Sequence, residues 1–160
     1  MSTTTTVAPN CSGIPMQLGR EELFDCINSL RRVYTRTRDR KPLSFDRQER
    51  RGAARIALRV PVRITPVALE DGEIRIVAEV DSAICADTTN LSLRGIAFTH
   101  ARPLSHPHAA ITFRVPGKSP VSLLAELRWT SRNVDAGFET GARFIGLTEL
   151  PAGILPDGCL

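Results

Sequence analysis

The chain has 160 residues, 42% of them hydrophobic, four cysteines and a formal net charge of +4. That length predicts one domain with an appendage, large enough to bury a core without disulfide staples. The cysteines (Cys11, Cys26, Cys85, Cys159) form no CxxC pair, which argues against a zinc site or a redox dithiol and predicts reduced thiols.

In chain order, the opening MSTTTTVAPN has neither the basic start nor the apolar core of a signal peptide, and residues 1–16 read as a disordered lead. No run of about 18 apolar residues is present to span a membrane, so a cytoplasmic protein without membrane insertion is expected. Residues 17–38 read as an amphipathic helix: Leu23, Ile27, Leu30 and Tyr34 recur at helical spacing with Phe24 beside them. Such a stripe serves first as packing against the domain, with a homodimer contact as the alternative. Residues 39–49 have no apolar period and read as a basic linker.

The period then changes to two. Leu58, Val60, Val62 and Ile64 alternate with Arg59, Pro61 and Arg63, and Pro61 favours an edge or a strand start. After the Asp71-Gly72 turn signal, Ile74, Ile76, Ala78 and Val80 alternate again. Further strands are predicted over Ala83–Thr89, from Gly95 to Thr99, around Ile111, Phe113 and Val115, through Leu123–Trp129, and from Phe138 to Phe144. Six or seven short strands with little helix predict an antiparallel barrel or sandwich. Trp129, the sole tryptophan, is expected in the core or at its rim. The Pro/Gly-rich segment 151–160 reads as an irregular tail.

Charge is uneven along this plan. Arg20 to Arg63 carries thirteen Lys/Arg against six Asp/Glu, whereas Ile64 onward carries eight against eleven. A basic first part suggests a phosphate-bearing partner. Nearly all the cations are arginine, whose planar fork matches phosphate oxygens and the edge of guanine better than a lysine point charge does. Three of them, Arg50, Arg51 and Arg55, cluster immediately before the first strand. Between the third and fourth strands, TTNLSLRGIAF places Asn90, Ser92 and Gly95 in an NxSxxG pattern. The amide and hydroxyl make a compact polar cradle, and the glycine permits positive φ or close backbone approach. Alone, such a pattern is common turn chemistry.

RxxxR (Arg51 to Arg55), a pair of strands and then NxSxxG, followed by ELRWTSRNVDAGFETGARFIGL with its Gly141-x-x-Phe144 ending, resemble the PilZ domain family over roughly residues 47–150. The resemblance implies a mainly β fold, a six-stranded antiparallel split barrel here carrying an N-terminal α-helix, that binds the bacterial second messenger cyclic di-GMP. It implies a ligand site of Arg50, Arg51, Arg55, Asn90, Ser92 and Gly95. The arginines would fork onto phosphate or guanine O6/N7, Asn90 and Ser92 would hold a guanine edge, and Gly95 would clear space for it. In this family an arginine at the position of Arg50 goes with two stacked ligand molecules per protomer. Arg47 reads as an auxiliary contact or as surface charge. Asn90 is within the family's Asp/Asn pattern but lacks a carboxylate's charge, and Arg94 stands where the family often has a small residue, adding a phosphate contact or crowding the cradle.

No GxSxG, HExxH or P-loop occurs, Ser92 has no evident base, and His106 and His108 have no acid or thiol beside them to complete a metal site. The expected protein is therefore not an enzyme and uses no cofactor. It is a receptor that passes the nucleotide level to an unidentified effector protein by ordering its arginine arm. The rival readings are a PilZ-like protein-interaction adaptor without nucleotide and a small β-barrel nucleic-acid binder, the latter disfavoured by 5% aromatic content.

Overall fold

In a computed structural model, the described residues are 14–15, 20–36, 55–77, 84–135 and 137–150. They form one helix, α1 (Arg20–Arg36), and nine strands. The strands are β1 (Ile14–Pro15), β2 (Ile56–Ala57), β3 (Pro61–Glu70), β4 (Glu73–Ile76), β5 (Ile84–Leu91), β6 (Gly95–His100), β7 (His108–Phe113), β8 (Val121–Asn133) and β9 (Gly137–Thr148). All pairings are antiparallel, in the order β1-β4-β3-β7-β8-β9-β6-β5-β2, and an extra β3–β5 pairing joins the sheet back on itself. Six of the nine strands therefore make a closed ring, with β1, β4 and β2 attached outside the cycle. Closure leaves fewer unpaired backbone groups at sheet edges.

The period-two pattern explains the inner face. Val62 and Ile64 of β3, Ile111 and Phe113 of β7, Leu123 and Ala125 of β8, and Phe98 of β6 are all buried in one cluster. Pro61 stands at the first position of β3, where its missing N–H does least harm. The helix stripe joins the same cluster, with Leu23, Ile27 and Leu30 each at most 6% exposed. Tyr34 continues it by packing near Phe113 and donating its hydroxyl proton to the Arg114 carbonyl. The stripe is thus packed inside the protomer.

Two residues depart from simple alternation. Arg63, expected to face solvent between Val62 and Ile64, is 2% exposed, and its Nε and Nη1 are buried without hydrogen-bond partners. The outer side of β3 is covered as well, and a second small cluster of Val67, Ile74, Ala110 and Leu124 lies there. Burial holds the Arg63 guanidinium below its ordinary pKa. Trp129 also leaves the core, at 48% exposure. The β8–β9 register slips between Leu127 and Trp129, and a bulge of this kind re-aims the side chains that follow it. Among the thiols, Cys26 is free, whereas Cys85, on an exposed position of β5, is disulfide-bonded, contrary to the expected reduced state.

His100 closes β6 as a buried polar residue. Its Nε2 lies 2.8 Å from Thr140 Oγ1 and its Nδ1 lies 2.6 Å from the Arg102 carbonyl, while its ring stacks on Phe138. Burial lowers its pKa below the ordinary value of 6.5, opposed in part by the Arg102 contact. The unfolded chain therefore takes up this proton first as pH falls, so stability declines once pH drops below about 6.5. Thermal melts at about pH 7.5 and about pH 5.5 should show a lower midpoint in acid, and His100→Asn should shrink that difference. An unchanged difference in the variant would assign the acid sensitivity to other groups.

Candidate functional site

The β5–β6 connection is built by its own serine. Ser92 N–H donates to the Gly95 carbonyl at 2.9 Å, and the Ser92 hydroxyl accepts from Arg94 N–H (3.3 Å) and Gly95 N–H (3.1 Å) while lying 3.2 Å from the Gly95 carbonyl oxygen. One donor and two acceptors are all a hydroxyl has. Ser92 is 7% exposed and fully occupied within the turn, so in this geometry it shapes the cradle instead of reaching out of it. Gly95 is required by proximity and not by φ: a Cβ there would stand 2.3 Å from the Ala142 carbonyl oxygen on the paired strand β9. The Phe144 N–H to Arg94 carbonyl bond (2.8 Å) holds the two hairpins at this close approach.

Arg55 reaches the same place through β2. The two residues after it pair with the end of β5, Ile56 opposite Leu91 and Ala57 opposite Asn90. Thr88, fully buried, secures the next stretch: its Oγ1 accepts from Val60 N–H at 2.9 Å and donates to the Leu58 carbonyl. The register between β5 and β6 shifts between Thr88 and Asn90, leaving Asn90 half-buried at the rim. The structure thus brings together Arg55, Asn90, Ser92 and Gly95 around one recess of about 230 Å³. Arg50 and Arg51, like Arg47, lie outside the described residues.

Three further residues complete the recess and were not singled out from the sequence as site residues: Arg128 and Trp129 of β8 and Arg143 of β9. Arg94, whose role the sequence left open, also lines it and is exposed. Gly141 lies opposite Trp129 in the strand register, and a Cβ on it would stand 2.2 Å from the indole nitrogen. The indole therefore lies directly over a residue with no side chain. The sequence did contain this signal, because a cross-strand glycine provides a platform for an aromatic ring, but seeing it requires the bulged register.

Four guanidinium groups in one rim repel one another, and Glu126 offsets two of them. Arg143 Nη2 donates to its carboxylate at 2.7 Å and Arg128 Nη1 at 3.2 Å. Desolvation works to raise the Glu126 pKa, but the hydrogen bond and charge of Arg143, with those of Arg128, outweigh it and leave the carboxyl below its ordinary range. The recess is smaller than the usual 300 Å³ or more of a drug-sized ligand pocket, by roughly a quarter. It suits one aromatic or phosphate-sized portion of a ligand, with the remainder across the arginine rim. Among the described residues no group of three His, Cys, Asp or Glu side chains converges as for a metal, and no helix is long and apolar enough to cross a membrane.

These features define a mainly β, antiparallel closed-ring module with a helix against one side and a cationic recess between two hairpins. No protein-family model matches the chain, and no curated protein does. Among solved structures, that of the Bacillus subtilis inhibitor of motility (MotI/DgrA) is similar at 20% identity and a TM-score of 0.45, covering 70% of this chain and 50% of that one. This chain therefore corresponds to about half of that protein's length.

If the indole is part of the recess floor, occupancy changes its emission. With a single tryptophan in the chain, a ligand that stacks a purine there should shift or quench fluorescence saturably, and Trp129→Ala should lower its affinity by about 1–3 kcal/mol, the usual worth of a base–aromatic stack. Gly141→Ala should produce a similar loss by displacing the ring. Affinity unchanged in both variants would place the ligand elsewhere.

Proposed function

We propose that this protein is a non-enzymatic receptor of the PilZ type for cyclic di-GMP. The observation that carries the reading is the convergence of Arg55 with Asn90 and the Ser92–Gly95 turn on one recess, two motifs thirty-five residues apart in the chain when counted from Arg55 to Asn90. The ligand carries two phosphates and two guanines. Guanidinium forks suit both the phosphate oxygens and guanine O6/N7, and the Asn90 amide offers donor and acceptor to a base edge. The exposed Trp129 face suits stacking of a purine. Ser92 acts through the shape of the turn. Arg50 and Arg51 act on the ligand from the arm, and Arg50 engages a second, stacked molecule. Ordering of that arm passes the signal to a partner protein, the ligand favouring the ordered arrangement.

Calorimetric titration of cyclic di-GMP into the full chain, with GTP as competitor, tests the reading. Saturable heat that GTP does not suppress is expected, and a stoichiometry of two per protomer would support the role of Arg50. A folded protein that gives only the heat of dilution would overturn the receptor reading and leave a protein-interaction module.

A further inference from the structure

Arg94 and Arg143 face two ways. Besides the recess, they border a groove of about 580 Å³ between α1 and the sheet, whose apolar walls come from Leu23, Phe24, Leu93 and Ile145. Phe24 is 37% exposed, a large apolar side chain on a helix whose buried stripe is already satisfied. Glu21 and Asp25 lie on the solvent side of Phe24, one helical turn apart, and both are exposed. Among the described residues Glu21, Asp25 and Arg94 make no ion pair, whereas Arg143 is already held by Glu126 at 2.7 Å, so Arg94 carries most of the cationic edge. Glu21 sits in the first turn, where an acid is favoured by the helix dipole alone; Asp25 lies beyond that turn and has no such use. The surface therefore carries an apolar centre, a carboxylate edge on the helix and a guanidinium edge on the sheet.

A two-fold interface must be self-complementary, each patch meeting its counterpart on the other copy. This surface meets that condition. We infer that the groove is a homodimer interface in which Phe24 of each copy enters the other's groove and the Glu21/Asp25 edge of each meets the other's Arg94/Arg143 edge. A single-signed partner would match only one edge; a second copy rotated by half a turn matches both. The face used is the flank of α1, distinct from the stripe that packs internally.

The same two arginines line the nucleotide recess, so dimerisation and anion binding compete for them. Resting on the receptor reading, this makes cyclic di-GMP a dissociator of the dimer, and by linkage the dimer binds the nucleotide more weakly by the same factor.

Analytical ultracentrifugation of the full chain from micromolar to submillimolar concentration tests the interface without nucleotide. Reversible, salt-sensitive dimerisation is expected. Phe24→Asp should leave the protein monomeric. Asp25→Arg and Arg94→Asp should each weaken association about tenfold or more, since every substitution occurs twice in the dimer, and the double variant should recover most of the loss. A wild-type protein that stays monomeric throughout, or a dimer indifferent to Phe24→Asp and to the charge swap, overturns the inference. The same runs with cyclic di-GMP address the coupling: a dimer unmoved by saturating, calorimetrically verified nucleotide removes the coupling alone, whereas absence of nucleotide binding removes the receptor reading and leaves the dimer standing.

Discussion

Arg55→Ala should lower the affinity for cyclic di-GMP by a factor of roughly 30 to 150 while leaving the protein as stable as before. The binding loss follows from removing a forked, charge-assisted contact, worth about 2–3 kcal/mol. The unchanged stability follows from position: Arg55 is exposed and precedes β2, contributing no side chain to the core, and such substitutions typically move stability by less than about 0.5 kcal/mol. Arg55→Lys keeps the charge but not the fork, so its affinity should fall between the two. Calorimetry and thermal melts on the same preparations separate the effects. Equal affinity for wild type and Arg55→Ala would remove this arginine from the site, whatever the arm residues do.

Gly95→Ala should act in the opposite manner, through the fold first. The new Cβ at 2.3 Å from the Ala142 carbonyl oxygen meets backbone, not the end of a flexible side chain. Either β6 and β9 separate or the Ser92 turn distorts. A loss of about 3 kcal/mol or more in unfolding free energy is expected, at the severe end for a single methyl group. Nucleotide binding should fail with it, because Arg94, the Ser92 hydroxyl bonds and the Phe144–Arg94 backbone bond are all set by that approach. Urea unfolding measures the first effect directly. A variant within about 1 kcal/mol of wild type would mean that the two hairpins tolerate separation, and that the glycine serves the ligand instead of the packing.

The contrast between these variants reflects what the sequence made legible. Alternation located the strands well: Val62, Ile64, Ile111, Phe113 and Leu123 face the core as their period requires. It also placed the inward stripe of α1, whose Ile27 is fully buried. Pairing was not legible, because the register that sets Ala57 opposite Asn90, or Gly95 opposite Arg143, depends on non-local closure of the ring. For that reason NxSxxG could be recognised as a turn, but not that Ser92 exhausts its hydroxyl within it. Which of the two places expected for Trp129, core or rim, it takes was hidden for a related reason. One inserted residue between Leu127 and Trp129 changes which side the indole takes, and no local pattern announces the insertion. Arg63 shows the converse failure: parity correctly turned it away from the inner core, but that side of β3 is buried too.

The brevity of β2 bears on how firmly Arg55 is held. Among the described residues, Ile56 and Ala57 pair Arg55's segment with the β5 edge, and the next anchors are the Leu58 N–H to Thr89 carbonyl bond and Thr88, bonded to Leu58 and Val60. Unzipping two residues leaves every strand of the ring paired. The free energy for detaching Ile56 and Ala57 is therefore that of a local fluctuation, well below the free energy of global unfolding. Amide hydrogens on this edge should exchange with solvent through a low-energy route that those of β7 and β8 lack. A mutation that stabilises the ring would then slow unfolding without stiffening the entrance, so robustness and responsiveness can be adjusted separately.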